Sequence, residues 1–516
     1  MKAKILSTIF CILVLVASVC LIFYFPEKEA LTETETETVT YGQIPTDPTD
    51  KMSRSYVIET AHDAEDFFTR LAYGENKEYK AALSDLVIRM DACSEYMKSE
   101  LKDYHGAGYF AAVAGILKEI ETAPFTDSVT FSSRVSRMLT ALESSYPTQS
   151  EAPDENHPET PMYYPKFDTD ASGKTALGLL AIYRQQYAEQ NNAILITLGG
   201  NMVAGETLLE AEKLDSFKVK QEKSKYSYPL YKSSAILGTD SVSFANLQNP
   251  LTESIGNSQS AGSIKGLPSY ASLLKNGGLD VISLSDPGVL GFGEEGKNDT
   301  ITALNEAKLP YSDGASVATV ETKLGKVAFI SYNIIEDIRK NVNLSYKDAP
   351  KTDIAAARAN GATFVVVHFN WINTEKNAWD PCMGQVNTAR AAVDSGADLV
   401  IGTHPDAAES IEQYKGVSIV YSPGNLSNKN GACTTNFIFQ QAFTVNGEGK
   451  AVPGQIQVIP LKNTSGEDPL PTPALDNASA TEFTNTIVRI SKTLRYGVNK
   501  RAEFKADALN VIYITK

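Results

Sequence analysis

The sequence predicts an α/β fold: a layered domain with its sheet buried on both faces, preceded by a helical region and by one N-terminal transmembrane helix. Three observations carry that reading. From Ala193 onward, short apolar and β-branched runs alternate with helical stretches, the pattern of strands covered by helices on both sides. Residues 53–146 instead place apolar side chains at helical spacing. Residues 5–25 contain no charged side chain, and at a rise of ~1.5 Å per residue such a run spans a ~30 Å hydrocarbon core.

Composition narrows the function classes. The chain has 516 residues, and Lys+Arg 47 against Asp+Glu 62 leaves a net charge of −15. That balance argues against nucleic-acid binding, which relies on a basic surface to neutralise phosphates. With 42% hydrophobic and 21% charged residues the chain can bury a core. Five cysteines spread over this length exclude a disulfide-stapled miniprotein. Any histidine-built site must draw on His62, His105, His157, His368 and His404, because there are no others.

The elements follow in order. Residues 1–26 read as a cytoplasmic tip and anchor: Lys2 and Lys4 stay inside and place the remainder outside the cytoplasm. A cleaved signal peptide fits less well, since Phe23, Tyr24 and Phe25 close the apolar run where a small-residue cleavage site belongs. Residues 27–52 form an acidic tether in which Thr and Glu alternate from Thr32 to Thr38, followed by Pro45 and Pro48. Such a segment cannot bury enough apolar surface to offset the entropy of ordering it. The helical domain, 53–146, repeats Val57, Ala61, Ala64, Phe68 and Leu71, then Leu83, Leu86 and Met90, with breaks expected at Gly74 and at Gly106–Gly108. Prolines 147, 153, 158, 161 and 165 mark 147–165 as a linker.

The main domain spans 166–463, and 464–516 is an extension with a helix near 480–494 and a last strand near 509–514. Strands are expected at 194–198, 281–284, 327–332, 364–368, 399–402 and 418–421, and helices at 267–275, 296–307, 354–360 and 385–395. Polar residues gather just after the strands: Asn201, Ser285 and Asp286, His368, His404 and Asn425. Sites in open α/β sheets lie at the carboxyl ends of strands, so a crevice is expected there.

Short segments within 193–426 carry a resemblance. Asp394-Ser395-Gly396-Ala397-Asp398 runs on through Gly402-Thr403-His404-Pro405 to Tyr421-Ser422-Pro423-Gly424-Asn425-Leu426. Upstream stand Gly293-Glu294-Glu295-Gly296 with Asp299-Thr300, and Asn246-Leu247-Gln248 and Gly200-Asn201-Met202. In order and spacing they resemble the CapA family of poly-γ-glutamate capsule-synthesis proteins. That resemblance implies a calcineurin-type, metallophosphatase-like layered α/β sandwich. It implies nothing about the helices before 150.

The same comparison shows what has changed. The metal-ligating Asp of the family pattern is Asn201, the Glu of Asn-Leu-Glu is Gln248, and Asn-Asn-His has become Asp286-Pro287-Gly288. His-Trp-Gly-x-Glu reads His368-Phe369-Asn370-Trp371-Ile372, and His-Pro-His reads His404-Pro405-Asp406. Two dications need several anionic or imidazole ligands. Neutral amides at 201 and 248 and a bare Gly288 remove much of that set and argue against a full dinuclear phosphatase. His368, His404, Asp406 and Asp286 remain as candidate ligands for one divalent metal, Mn²⁺ or Zn²⁺. The alternative is that both histidines serve as hydrogen-bonding strand ends.

Two further features stand beside these. Cys382 and Cys433 fall in loops expected on one side of the sheet, where a disulfide and two separate thiols are both open. Lys213, Lys218, Lys220, Lys223, Lys225 and Lys232 form a basic run in an acidic chain, either a solvated face or a contact for a polyanion. There is no Gly-x-x-x-x-Gly-Lys-Ser/Thr phosphate loop, Gly-x-Ser-x-Gly elbow or Cys-x-x-Cys pair.

The expectation is a membrane-anchored surface protein supporting synthesis, export or attachment of an anionic polymer such as poly-γ-glutamate. Its partners are that polymer or the machinery that makes or exports it, and its crevice is lined by Asn201, Asn246, Asp286, His368, His404, Asp406 and Asn425. Two alternatives stay open: a mononuclear metal-dependent hydrolase of a phosphoester or γ-glutamyl bond, and a non-catalytic interaction module working through the 53–146 helices.

Overall fold

A computed structural model describes residues 52–75, 78–146, 164–170, 173–207, 210–213, 216–224, 227–255, 263–340, 348–375, 380–427 and 436–463, with short pieces at 471–473, 485–487, 491, 503–506 and 512–515. The anchor, the tether up to residue 51 and most of the proline-rich linker lie outside the described residues. No described helix is long and apolar enough to cross a membrane.

The first region folds as α1 (Arg54–Ala72), α2 (Tyr79–Ser99), α3 (Tyr104–Thr122) and α4 (Ser128–Ser145). Ser53, Asp103 and Asp127 begin three of them by accepting an N–H of the first turn on their side chains. Gly74 does end α1, at φ 82°. Gly106 and Gly108 do not break the chain: both lie inside α3. Gly106 serves contact instead, since a Cβ there would stand 2.3 Å from the Met97 methyl and 2.9 Å from the Tyr164 hydroxyl. A fifth helix, α5 (Lys174–Gln190), packs against α1 and leads into the sheets.

The first sheet contains β1 (Ile194–Met202), β2 (Val242–Leu247), β3 (Val281–Ser283) and β4 (Tyr311–Ser312), mutually parallel in that order. The second is built on β5 (Ala318–Thr322), β6 (Gly325–Asn333), β7 (Ala362–Asn370), β8 (Leu399–Thr403), β9 (Ile411–Tyr414) and β10 (Val417–Val420). Its order is β9-β10-β8-β7-β6-β5, with β6, β7, β8 and β10 parallel and both edges antiparallel. The chain then returns to the first sheet. β11 (Asn425–Ser427) pairs in parallel with the end of β1 on the side away from β2, and on that same side the long strands β12 (Asn436–Val445) and β13 (Ala451–Asn463) extend the sheet, antiparallel. β14 (Glu503–Ala506) and β15 (Ile512–Thr515) complete that edge.

Strand alternation sorts the cores. Ile194, Ile196 and Leu198 of β1 and Val242 and Phe244 of β2 face the second sheet, where they meet Val327, Phe329, Phe364, Val366, Leu399 and Ile401. Phe244 and Phe329 stack at the centre, 5.3 Å apart and 2° from parallel. On the outer face of the first sheet, Met202, Ala245, Leu247 and Ile282 share one core with α1–α5. The outer face of the second packs under two helices, Asp348–Ala359 and Met383–Asp394. The result is helices, sheet, sheet, helices, a mixed α/β sandwich with a helical N-terminal region. Both faces of the central strands are dry, which explains their continuous apolar runs.

Candidate functional site

The layer between the sheets changes character along its length. Toward the carboxyl ends of the strands the Phe244–Phe329 stack gives way to polar residues on the same faces: Asn246 two residues after Phe244, Ser331 after Phe329, and His368 and Asn370 after Val366. Strand register aligns them. Asn201 sits beside both Asn246 and Asn425, Ser331 beside His368, and Asn370 beside Thr403.

These side chains form a ladder from one sheet to the other. Asn201 Nδ2 donates to Asn425 Oδ1 at 3.2 Å and to the Pro405 carbonyl at 3.2 Å. Asn246 Nδ2 donates to Asn201 Oδ1 at 3.4 Å and, across the sheets, to Asn370 Oδ1 at 3.1 Å. Thr403 Oγ1 donates to the same Asn370 oxygen at 3.2 Å and lies 2.7 Å from His368 Nε2. All of them are buried. His368 is fully buried against the Phe244 ring, and burial pushes its imidazole down to about 3, so it is neutral at physiological pH.

His404 lies at the mouth. Its φ of 89° is a left-handed conformation that non-glycine residues rarely hold without support. The support is visible: its N–H donates to Asn201 Oδ1 at 2.9 Å, and its Nδ1 lies 3.2 Å from Asp286 Oδ2. Asp286 Oδ1 in turn accepts the Gly288 N–H at 2.8 Å. Asp406 is nearby, its carboxyl raised by burial and further by Asp286, against the pull of His404. Asn425 Nδ2 donates to the Asp406 carbonyl at 3.1 Å.

The structure therefore brings Asn201, Asn246 and Asn425 into one ladder and Asp286, His404 and Asp406 into one cluster at its mouth. It keeps His368 apart from that cluster, engaged with Thr403. Among the described residues no group of three or more His, Cys, Asp or Glu is placed to hold a metal ion. Asn201 Oδ1 and Asn370 Oδ1 already accept internal hydrogen bonds, whereas Asn246 Oδ1 and His368 Nδ1 are buried with no hydrogen-bond partner. Four of the side chains at the strand ends, Asn201, Asn246, Asn370 and Asn425, are neutral amides, whereas a dinuclear centre draws on carboxylates and histidines.

Sequence reasoning missed Asn370, Thr403 and Glu409 as contributors. Asn370 and Thr403 lie inside the quoted motifs, two and one residues from His368 and His404, but were not read as site residues. Glu409 gave no local signal; it is a buried carboxyl behind the mouth, bonded to Asn373 and Gln385. Cys382 is buried at the start of the Met383–Asp394 helix, and its proposed partner Cys433 lies outside the described residues. Of the lysine run, Lys213, Lys218 and Lys223 are exposed, while Lys225 lies outside the described residues.

A two-sheet α/β sandwich with its polar crevice at the strand carboxyl ends is the class of domain the geometry defines. Residues 196–430 match the family described as bacterial capsule synthesis protein PGA_cap, in line with the resemblance that the motifs carry. Two curated relatives are similar over much the same stretch. The capsule biosynthesis protein CapA of Bacillus anthracis is 29% identical over 224 residues, 39% of this chain and 52% of the relative. The PGA biosynthesis protein CapA of Bacillus subtilis (strain 168) is 26% identical over 258 residues, 45% of this chain and 65% of the relative. The chain thus spans about half to two thirds of the length of these relatives.

Proposed function

We propose that this protein is a cell-envelope component supporting synthesis, export or attachment of an anionic polymer of the poly-γ-glutamate type, and that its crevice binds rather than hydrolyses. The observation that carries this is the amide ladder. Where a dinuclear hydrolase needs carboxylates and histidines around two ions, this chain has Asn201, Asn246, Asn370 and Asn425 hydrogen-bonded to one another. The match of residues 196–430 to the capsule-synthesis family supports the polymer class. In this reading the 5–25 segment is an anchor that holds the domain outside the cytoplasm. The exposed lysines at 213, 218 and 223 offer a polyanion the positive charge that the acidic remainder withholds.

Titration of the full chain with poly-γ-glutamate tests the reading. Saturable binding that falls when His368 and His404 are both changed to Ala supports it; no binding by the wild-type protein contradicts it. A second reading rests on the Asp286–His404 pair with Asp406 beside it: a mononuclear metal-dependent hydrolase of a phosphoester or γ-glutamyl bond. Metal-stimulated release of product from either substrate, lost in Asp286→Asn, would favour it over the binding role.

A further inference from the structure

The amide ladder has a direction, and backbone groups at the mouth set it. Asn201 lies between the His404 N–H, which can only donate, and the Pro405 carbonyl, which can only accept, at 2.9 and 3.2 Å. Its oxygen must face the first and its nitrogen the second. Asn425 agrees from the far side. Its Nδ2 gives to the Asp406 carbonyl at 3.1 Å, so its Oδ1 is the atom that receives from Asn201.

That choice propagates across the sheets. The Asn246 atom that stands 3.4 Å from Asn201 Oδ1 must be the nitrogen, which has a second hydrogen to give. The Asn370 atom that it meets at 3.1 Å must then be the oxygen. Thr403 Oγ1 lies 3.2 Å from the same oxygen and has one hydrogen. With that hydrogen spent on Asn370, Oγ1 can only accept from His368 Nε2, 2.7 Å away.

We propose that the ladder is a polarity relay: the His404 N–H and the Pro405 carbonyl, acting through Asn201, Asn246, Asn370 and Thr403, hold the buried His368 as its Nε2–H tautomer and leave Nδ1 a bare acceptor. Asn370 and Thr403 are positioning residues in this relay.

The competing arrangement turns Asn246 and Asn370 over together. Thr403 would then receive from Asn370 and donate to His368 Nε2, and the ring proton would move to Nδ1. That reversal sets Asn246 Oδ1 against Asn201 Oδ1, oxygen to oxygen. It also puts a hydrogen on Nδ1, which is buried with no hydrogen-bond partner. A buried N–H without an acceptor is a rarer orphan than a bare lone pair. Either way each of the two amides keeps one atom unbonded, Asn246 Oδ1 and Asn370 Nδ2 in the forward direction, so these do not decide between the two. The contact with Asn201 does. A group entering this end of the crevice therefore meets His368 as an acceptor and bonds to it only through an N–H or O–H. The relay stands whether or not the crevice takes the polymer proposed above.

Nitrogen-15 NMR of the full chain, labelled at histidine, tests this at about pH 8, above the ordinary imidazole value of about 6.5. The His368 signals are assigned by their loss in His368→Gln. The wild type should show the proton bonded to Nε2 and none on Nδ1, and Thr403→Ser, which keeps the hydroxyl, should match it. Asn370→Leu has nearly the shape of asparagine but no acceptor. It frees the Thr403 hydroxyl to donate to Nε2 and should move the proton to Nδ1 in most molecules. A proton on Nδ1 in the wild type or in Thr403→Ser, or an Nε2–H that survives Asn370→Leu unchanged, overturns the proposal. If Asn370→Leu fails to fold, the wild-type spectrum still decides between the two tautomers.

Discussion

Asn201 Oδ1 accepts the backbone N–H of His404 at 2.9 Å, joining the end of the first strand of one sheet to the end of a strand in the other, 203 residues along the chain. The same amide gives its Nδ2 hydrogens to Asn425 and to the Pro405 carbonyl. It is an acceptor on one side and a donor on the other, which a carboxylate cannot be.

Replacing Asn201 tests that asymmetry. Asn201→Ala leaves the buried His404 N–H and Asn246 amide short of an acceptor and should cost about 2–3 kcal/mol in urea unfolding. Asn201→Asp keeps the acceptor but sets oxygen against the Asn425 and Pro405 oxygens, and should cost at least as much. If Asn201→Asp were neutral or stabilising, the ladder would not be the organising feature of the crevice.

Gly402 is the point on β8 where the Trp371 ring crosses. A Cβ there would stand 2.1 Å from the indole and 2.3 Å from the Tyr421 carbonyl. Because Trp371 is fully buried and its Nε1 donates to that carbonyl at 3.1 Å, neither neighbour can yield cheaply. Gly402→Ala should cost about 3 kcal/mol, the upper end for overpacking, and show as a lowered Tm without loss of far-UV signal.

His368 should make the protein acid-sensitive. Its imidazole is depressed by burial from 6.5 to about 3, so its contribution is complete above pH 6.5 and lost as pH falls toward 3. In that window the wild type should lose up to about 1.4 kcal/mol per pH unit relative to His368→Gln. Paired denaturation curves at several pH values give the difference; identical slopes would mean His368 is not held neutral by the fold.

Much of this was legible before any coordinates. The strands through Ile196, Phe329, Val366 and Ile401 announce themselves as apolar runs because both their faces are covered. Asn201, Asn246, Asp286, His404 and Asn425 lie together at the strand carboxyl ends. What escaped had physical reasons. The hairpin of β12 and β13 carries Gln440, Gln441 and Gln457 inside it, which masks its pattern, although Asn446-Gly447 between the two runs is a hairpin-turn signal. Glycines 106 and 108 were read as punctuation when the first serves close contact within α3. Asn370 and Glu409 act only through partners on other elements, and no local spacing encodes a bond from one sheet to another.

The central claim is that an amide ladder stands where the family pattern has metal ligands. The most direct test is elemental analysis of the full chain, purified without chelator, offered Mn²⁺ and Zn²⁺ and passed through gel filtration. The ladder predicts no stoichiometric metal, in the wild type and in the His368 and His404 double variant alike. One or two ions per chain, lost when those histidines are changed, would contradict it.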